Sequence, residues 1–213
     1  MKKTVILSTL TMLALGAYSL FAQDADSQMS FFLTSAGPGE GAALGGLDGA
    51  DAHCAKLAEA VGVTGKTWHA YLGTTGDSTV HAKDRIGSGP WHNSKGVKIA
   101  DDVAHLHGEN GLTKETNINE KGEVVNGRGD TPNRHDIITG TNADGTAYTD
   151  GDDNNCSNWT GSGEGSARVG HHDRKGGGDD GSSWNSAHDS RGCSQSDLQG
   201  TGGDGLFYCF ATN

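Results

Sequence analysis

Four cysteines, Cys54, Cys156, Cys193 and Cys209, constrain how this chain can fold more than any other feature. They follow an N-terminal stretch with the marks of an export signal. Lys2 and Lys3 are positive, Thr4 to Phe21 is an apolar run, and Ala22 stands where cleavage is expected. The pattern predicts a signal peptide over 1–22, a polar lead-in over 23–28 and a folded domain over 29–213. The apolar run sits at the lower length limit for a spanning helix and nothing similar follows, so no membrane span is expected after cleavage. Export to the periplasm or the cell exterior places the thiols where disulfides persist. Four cysteines allow three pairings, and spacing alone selects none of them.

The rest of the chain explains why covalent ties would be needed. It has 35 Gly, 3 Pro, 33% hydrophobic and 6% aromatic residues. Glycine at this level weakens helices and strands, so long irregular loops are expected. The formal charge is −11, and −13 once Lys2 and Lys3 are removed. Such a surface disfavours nucleic acid, anionic lipid and heparin-like polyanions, and favours divalent cations and neutral ligands.

Regular elements are sparse. Met29 to Thr34 reads as a first strand. A helix capped by Asp48 runs to about Val61, with Ala50, Cys54, Leu57, Ala58 and Val61 on one face. Thr67 to Thr74 alternates as a half-buried strand. One short helix is expected within Asp101 to Leu112, and a weak strand over Glu123 to Asn126. Residues 126–155 read almost entirely as turns. Ser157 to Thr160 and Ala167 to His171 are short strand candidates, 175–197 is loop, and Leu206 to Phe210 is the last strand.

This order of strand, Cys-bearing helix, strand, long loops and Cys-bearing strand resembles a C-type-lectin-like domain, and more closely the endostatin family, which has that fold. The similar residues are GLDGADAHCAKLAEAVGVTGKTWHAYL from Gly46 to Leu72, then Asp84-Arg85, Pro90, Asn93 and Lys95. Gly145, Cys156-Ser157-Asn158-Trp159, Cys193 and Phe207-Tyr208-Cys209 continue the likeness. The resemblance implies an α+β fold, C-type-lectin-like (endostatin-like), with long loops. It also implies nested disulfides, Cys54–Cys209 outside and Cys156–Cys193 inside. By loop-closure entropy these would contribute about 5 and about 4 kcal/mol. Two family properties are not carried over. The family's zinc site uses an N-terminal His cluster, and residues 23–34 contain no His. Its heparin binding uses a basic face, and this chain is acidic. The calcium motifs of sugar-binding C-type lectins are also missing, with Thr131-Pro132-Asn133 a degenerate echo.

Several groups could carry chemistry. Asp150, Asp152, Asp153 and Asn154 are dense in oxygen, as Ca2+ requires, and are the expected metal ligands. They are not an EF-hand, because Asn155 stands at the sixth position and Gly161 at the twelfth. His105 and His107, on one strand face, and His171-His172-Asp173 are weighed for zinc but lack metalloprotease spacing. Arg128-Gly129-Asp130 spells an adhesion tripeptide, and Asn158-Trp159-Thr160 is a glycosylation sequon read as structural. Trp91 and Trp184 lie among polar residues; Trp184, with Asn185 and His188, is the expected contact for a sugar ring.

No GxSxG, HExxH or phosphate-binding loop occurs. The expectation is a secreted, non-catalytic binding protein, lectin-like, with a neutral glycan as ligand and Ca2+ as its cofactor. The alternative is a structural or adhesive surface protein that contacts another protein through its loops. A hydrolase using loop His and Asp residues ranks third.

Overall fold

The computed structural model describes residues 28–176 and 181–212, so the expected signal peptide and nearly all of the lead-in lie outside the described residues. The elements that frame the molecule are helix α1 (Gly46–Ala60) and eight short strands. These are β1 (Phe31–Leu33), β2 (Trp68–Ala70), β3 (Trp91–His92), β4 (Lys98–Ala100), β5 (Asp136–Ile138), β6 (Arg168–His171), β7 (His188–Asp189) and β8 (Tyr208–Ala211). The chain is a mixed α/β structure with small antiparallel sheets and two disulfides. No helix among the described residues is long and apolar enough to cross a membrane.

The two ends of the chain meet in the sheet β1-β8-β2, where Phe32 pairs with Cys209 and Ala70 with Cys209. β1 and β8 are continuous apolar runs because both their faces are covered, whereas β2 has the half-buried His69 at its centre. Phe32, Trp68, Ala70 and Cys209 pack with Ala50, Cys54 and Ala58 of α1. Phe31, Tyr208 and Phe210 face the other way, onto Tyr71, Trp91, Ile99, Leu106 and Trp184.

Cys54 on α1 is bonded to Cys209 on β8, and Cys156 to Cys193, the nested arrangement. The bridges span 155 and 37 residues of sequence, so the outer one fixes α1 against the C-terminal strand. Asp48 is not the helix cap. Gly45, with φ of 79°, holds that position without a side-chain bond, and Asp48 sits in the first turn, where the helix dipole favours a carboxylate.

Other expectations need correction. Ser157 to Thr160 is not a strand. Cys156 to Trp159 carry positive φ of 52°, 55°, 55° and 66° and form a left-handed turn. Asn155 Oδ1 accepts the Asn158 amide, and Trp159 is fully buried with Nε1 donating to Gly73 O. Glu123 to Asn126 makes only the single bridge Ile118–Val124. His105 and His107 lie on the helix Val103–His107, not on a strand.

Besides the pair β3-β4 there is a three-stranded sheet, β5-β6-β7, in which β6 matches the expected strand Ala167 to His171, whereas β5 and β7 lie in segments that read as turns and loop. Asp136 of β5 pairs with His171 of β6, and Val169 of β6 pairs with His188 of β7. Paired residues share a face and so do residues two apart on a strand, so Asp136, His171 and His188 project to the same side.

Candidate metal centre

This face of β5-β6-β7, together with the residue before β5, gathers His135, Asp136, His171 and His188. One ligand atom from each lies within 4.8 Å of all the others. His135 precedes β5; its amide donates to Asn133 Oδ1, and its ring stacks on His171 at 4.1 Å between centroids. His135, Asp136 and His171 are buried, whereas the His188 side chain is 40% exposed.

The hydrogen positions follow from the partners. His171 Nδ1 lies 2.8 Å from the carbonyl of Gly181, and His188 Nδ1 lies 3.1 Å from the carbonyl of Asp189. A carbonyl only accepts, so each Nδ1 donates. His135 Nδ1 lies 3.3 Å from Asp173 Oδ1, an acceptor of the same kind. In the neutral rings all three Nε2 atoms then carry lone pairs, and all three point at Asp136. They stand 2.9, 3.3 and 3.5 Å from Asp136 Oδ1 for His135, His171 and His188. His171 Nε2 and His188 Nε2 are 3.0 Å apart. Both Asp136 oxygens are buried, and among the described residues no donor other than the three Nε2 nitrogens faces them.

Lone pairs this close repel unless a positive charge lies among them, and either protons or a metal ion can supply it. Without metal, burial disfavours both charged partners, but ion pairing outweighs it. Asp136 is held far below the usual carboxylate range by the three histidines, and Asp136 and Asp173 push His135 up to about 9. His188 is raised by Asp136 against the cost of burial. With a metal, the geometry is already close. Zinc-to-nitrogen bonds imply tetrahedral ligand edges of about 3.3 Å. Four of the six ligand separations, 2.9 to 3.5 Å, lie near that value, and all are within 4.8 Å.

A further layer orients these ligands. Asp173, whose side chain is fully buried, accepts from His135 Nδ1 and also from the amides of Lys175 and Arg128. Burial opposes its ionisation, but the hydrogen bonds keep it well below the usual range. Carboxylate–histidine pairs of this kind fix the tautomer and ring angle of metal ligands. Two glycines make the arrangement possible. A Cβ at Gly127 would lie 2.3 Å from Asp173 Oδ2, and one at Gly176 would lie 2.3 Å from His171 Cε1.

The residues expected to hold metal are not brought together in this way. Among the described residues the one qualifying group is the histidine cluster. The oxygens of the expected Ca2+ loop serve the local backbone instead. Asp153 accepts the amides of Asn155 and Ser157, Asp150 accepts that of Asp152, and the Asn154 amide group donates to Asp150. Of the triplet His171-His172-Asp173, His171 is a candidate ligand and Asp173 its neighbour's support. His172 turns away, with Nε2 on the carbonyl of Asn126. His105 and His107 diverge to Asp101 and to Tyr71.

The expected sugar contacts also divide. Trp184 is 4% exposed and packs against Tyr71, Tyr208 and His107 at centroid distances of 4.9, 5.2 and 5.7 Å. It is a core residue, with no free face for a sugar. Asn185 is buried too, donating to Tyr71 Oη and to the carbonyls of Asn142 and Ala143. Only His188 reaches the surface, and it does so as part of the histidine cluster. Trp91 is buried against Phe210. In the adhesion tripeptide, Asp130 is held by Lys114 and the Gly127 amide. The sequon Asn158 is held at both ends by the Thr75 backbone.

A cavity of about 280 Å3 opens on the cluster, lined by Arg128, Asn133, His135, His171, His188 and Thr201. No family model and no curated protein matches this sequence.

Proposed function

We propose that this chain is an exported, non-catalytic binding domain organised around one zinc-class ion held by His135, Asp136, His171 and His188. The observation that carries the reading is the convergence of three Nε2 atoms and one buried carboxylate within 4.8 Å of one another, with every Nδ1 already engaged. Three imidazoles and a carboxylate suit zinc and its transition-metal neighbours, whereas Ca2+ requires six to eight oxygens. The signal-like N-terminus and the paired cysteines support export. The C-type-lectin-like fold remains what the sequence resemblance implies, and the Cys-bearing helix lying on a sheet of both chain ends is in keeping with it.

Binding is favoured over hydrolysis by the cavity wall. Beyond the ligands it offers Arg128, Asn133 and Thr201, which can hydrogen-bond a ligand but are poor general bases at neutral pH. A lectin-like activity would therefore run through the metal rather than through Trp184 and Asn185.

The test is titration of chelator-treated protein with Zn2+ and, separately, Ca2+, alongside elemental analysis. One Zn2+ per chain is expected, lost in His171→Ala, with no Ca2+ competition. Absence of Zn2+ uptake, or uptake unchanged by His171→Ala, would overturn the assignment.

A further inference from the structure

One cationic side chain, Arg128, stands beside the candidate centre on a protein that is acidic overall. Arg128 lines the cavity above the histidines and also an adjoining one of about 450 Å3, whose wall includes Arg174, Lys175, Gly181 and Ser182. Among the described residues neither cavity has a carboxylate on its wall. The two cavities are built on shared supports. Gly181, whose carbonyl fixes His171, stands in the second one. Asp173, which fixes His135, also fixes the backbone of Arg128 and Lys175. Arg128 is exposed, and among the described residues its guanidinium has no carboxylate or hydrogen-bond partner. Its backbone, by contrast, is anchored, so the free charge hangs from a fixed point beside the cluster.

We propose that the metal held by His135, Asp136, His171 and His188, together with Arg128, forms a binding site for an oxyanion, a carboxylate or phosphate group carried by the ligand. The proposal rests on the metal reading above and adds the chemistry of what that centre captures. Four protein ligands would close the zinc's own coordination, so the oxyanion would be held beside the centre on the exposed His188 side, where the cavity lies. A divalent ion offsets the negative charges of Asp136 and of Asp173 behind His135, so Arg128 supplies the net positive charge that draws an anion. Its guanidinium supplies paired donors that match a carboxylate or phosphate edge. The overall negative charge does not forbid this. Charges beyond about 8 Å are screened at physiological salt, so a single oxyanion senses the local cationic wall, while a long polyanion also meets the acidic surroundings.

The experiment uses the full chain in zinc-free and zinc-loaded forms, with inorganic phosphate and glucuronate as separate probes in calorimetry. Zn2+ is titrated first, so failure to bind zinc overturns the metal reading, while zinc binding without uptake of either probe overturns this inference alone. Uptake is expected only in the zinc-loaded protein, and Arg128→Gln is expected to weaken it about tenfold, the loss of one charge-assisted pair. Preference for phosphate over glucuronate, or the reverse, identifies which oxyanion the site takes. Equal affinity in the zinc-free protein, or in Arg128→Gln, would place the anion elsewhere and refute the proposal.

Discussion

Replacing Asp136 by Asn keeps the size of the side chain and removes the one anionic ligand of the candidate centre. Its consequence can be worked out through the stability that metal binding confers. At a free Zn2+ concentration of about 100 Kd, a site present only in the folded state stabilises it by about 2.7 kcal/mol. For a domain of this length each kcal/mol moves the melting temperature by about 2–4 °C, so zinc should raise it by about 5–11 °C. Loss of an outer support to a metal ligand already costs about 10–100-fold in affinity, and Asp136 is itself a ligand. At a loss of about 100-fold, the same Zn2+ concentration only equals the new Kd. The stabilisation falls to about 0.4 kcal/mol, a shift of about 1–2 °C. Both proteins are stripped with chelator, then melted by circular dichroism with and without zinc. Comparing each protein with its own zinc-free form cancels any direct effect of the substitution. Asp136 also pairs with His135, His171 and His188 in the metal-free protein, so only the zinc-induced shift of each protein, not its absolute melting temperature, bears on the ligand role. An equal zinc shift in wild type and Asp136→Asn, or no shift in wild type, would refute the reasoning.

Two further outcomes follow from the packing and the charges. Trp184→Ala should lower stability by about 3–5 kcal/mol, because the ring is 4% exposed and surrounded by Tyr71, His107 and Tyr208. Chemical denaturation measures this, and a loss below about 0.5 kcal/mol would mean the ring is a surface contact after all. Zinc affinity should fall about tenfold for each pH unit lowered from 8 to 6, because His135, pushed up to about 9 in the metal-free protein, must release a proton to bind. The same raised value makes the proton's contribution to metal-free stability complete below about pH 6.5 and lost as pH rises through about 9. A zinc affinity constant between pH 6 and 8 would contradict the proton count.

The sequence by itself determined the covalent and apolar frame. The runs around Phe31 and Tyr208 are continuous because their strands are buried on both faces. The spacing of Ala50, Cys54 and Ala58 puts one helical face on that sheet. Those are local patterns, and local patterns are legible along a chain. The nested disulfides were also anticipated, though only through resemblance, since four cysteines leave three pairings open. The centre was not legible. Its ligands lie on or just before three strands of two to four residues, with 35 positions from Asp136 to His171 and 17 from there to His188, and two of those strands fall in segments dominated by turn residues. Ile137 and Ile138 were the one local sign of β5, too short a run to outweigh the glycines and polar residues around it. His171 and His188 drew notice singly, as part of a histidine cluster and as a sugar contact. Asp136 and His135 did not, because nothing in their neighbours' sequence marks them. Strand pairing alone sets Asp136 opposite His171 and His188 opposite Val169. The same holds in reverse for Trp184 and the acidic loop. Polar neighbours in sequence suggested a surface ring and a cation site, but tertiary packing buried the ring among aromatics and turned the carboxylates onto backbone amides. Convergence of ligands is a property of register between strands distant in sequence, and only the folded chain fixes that register.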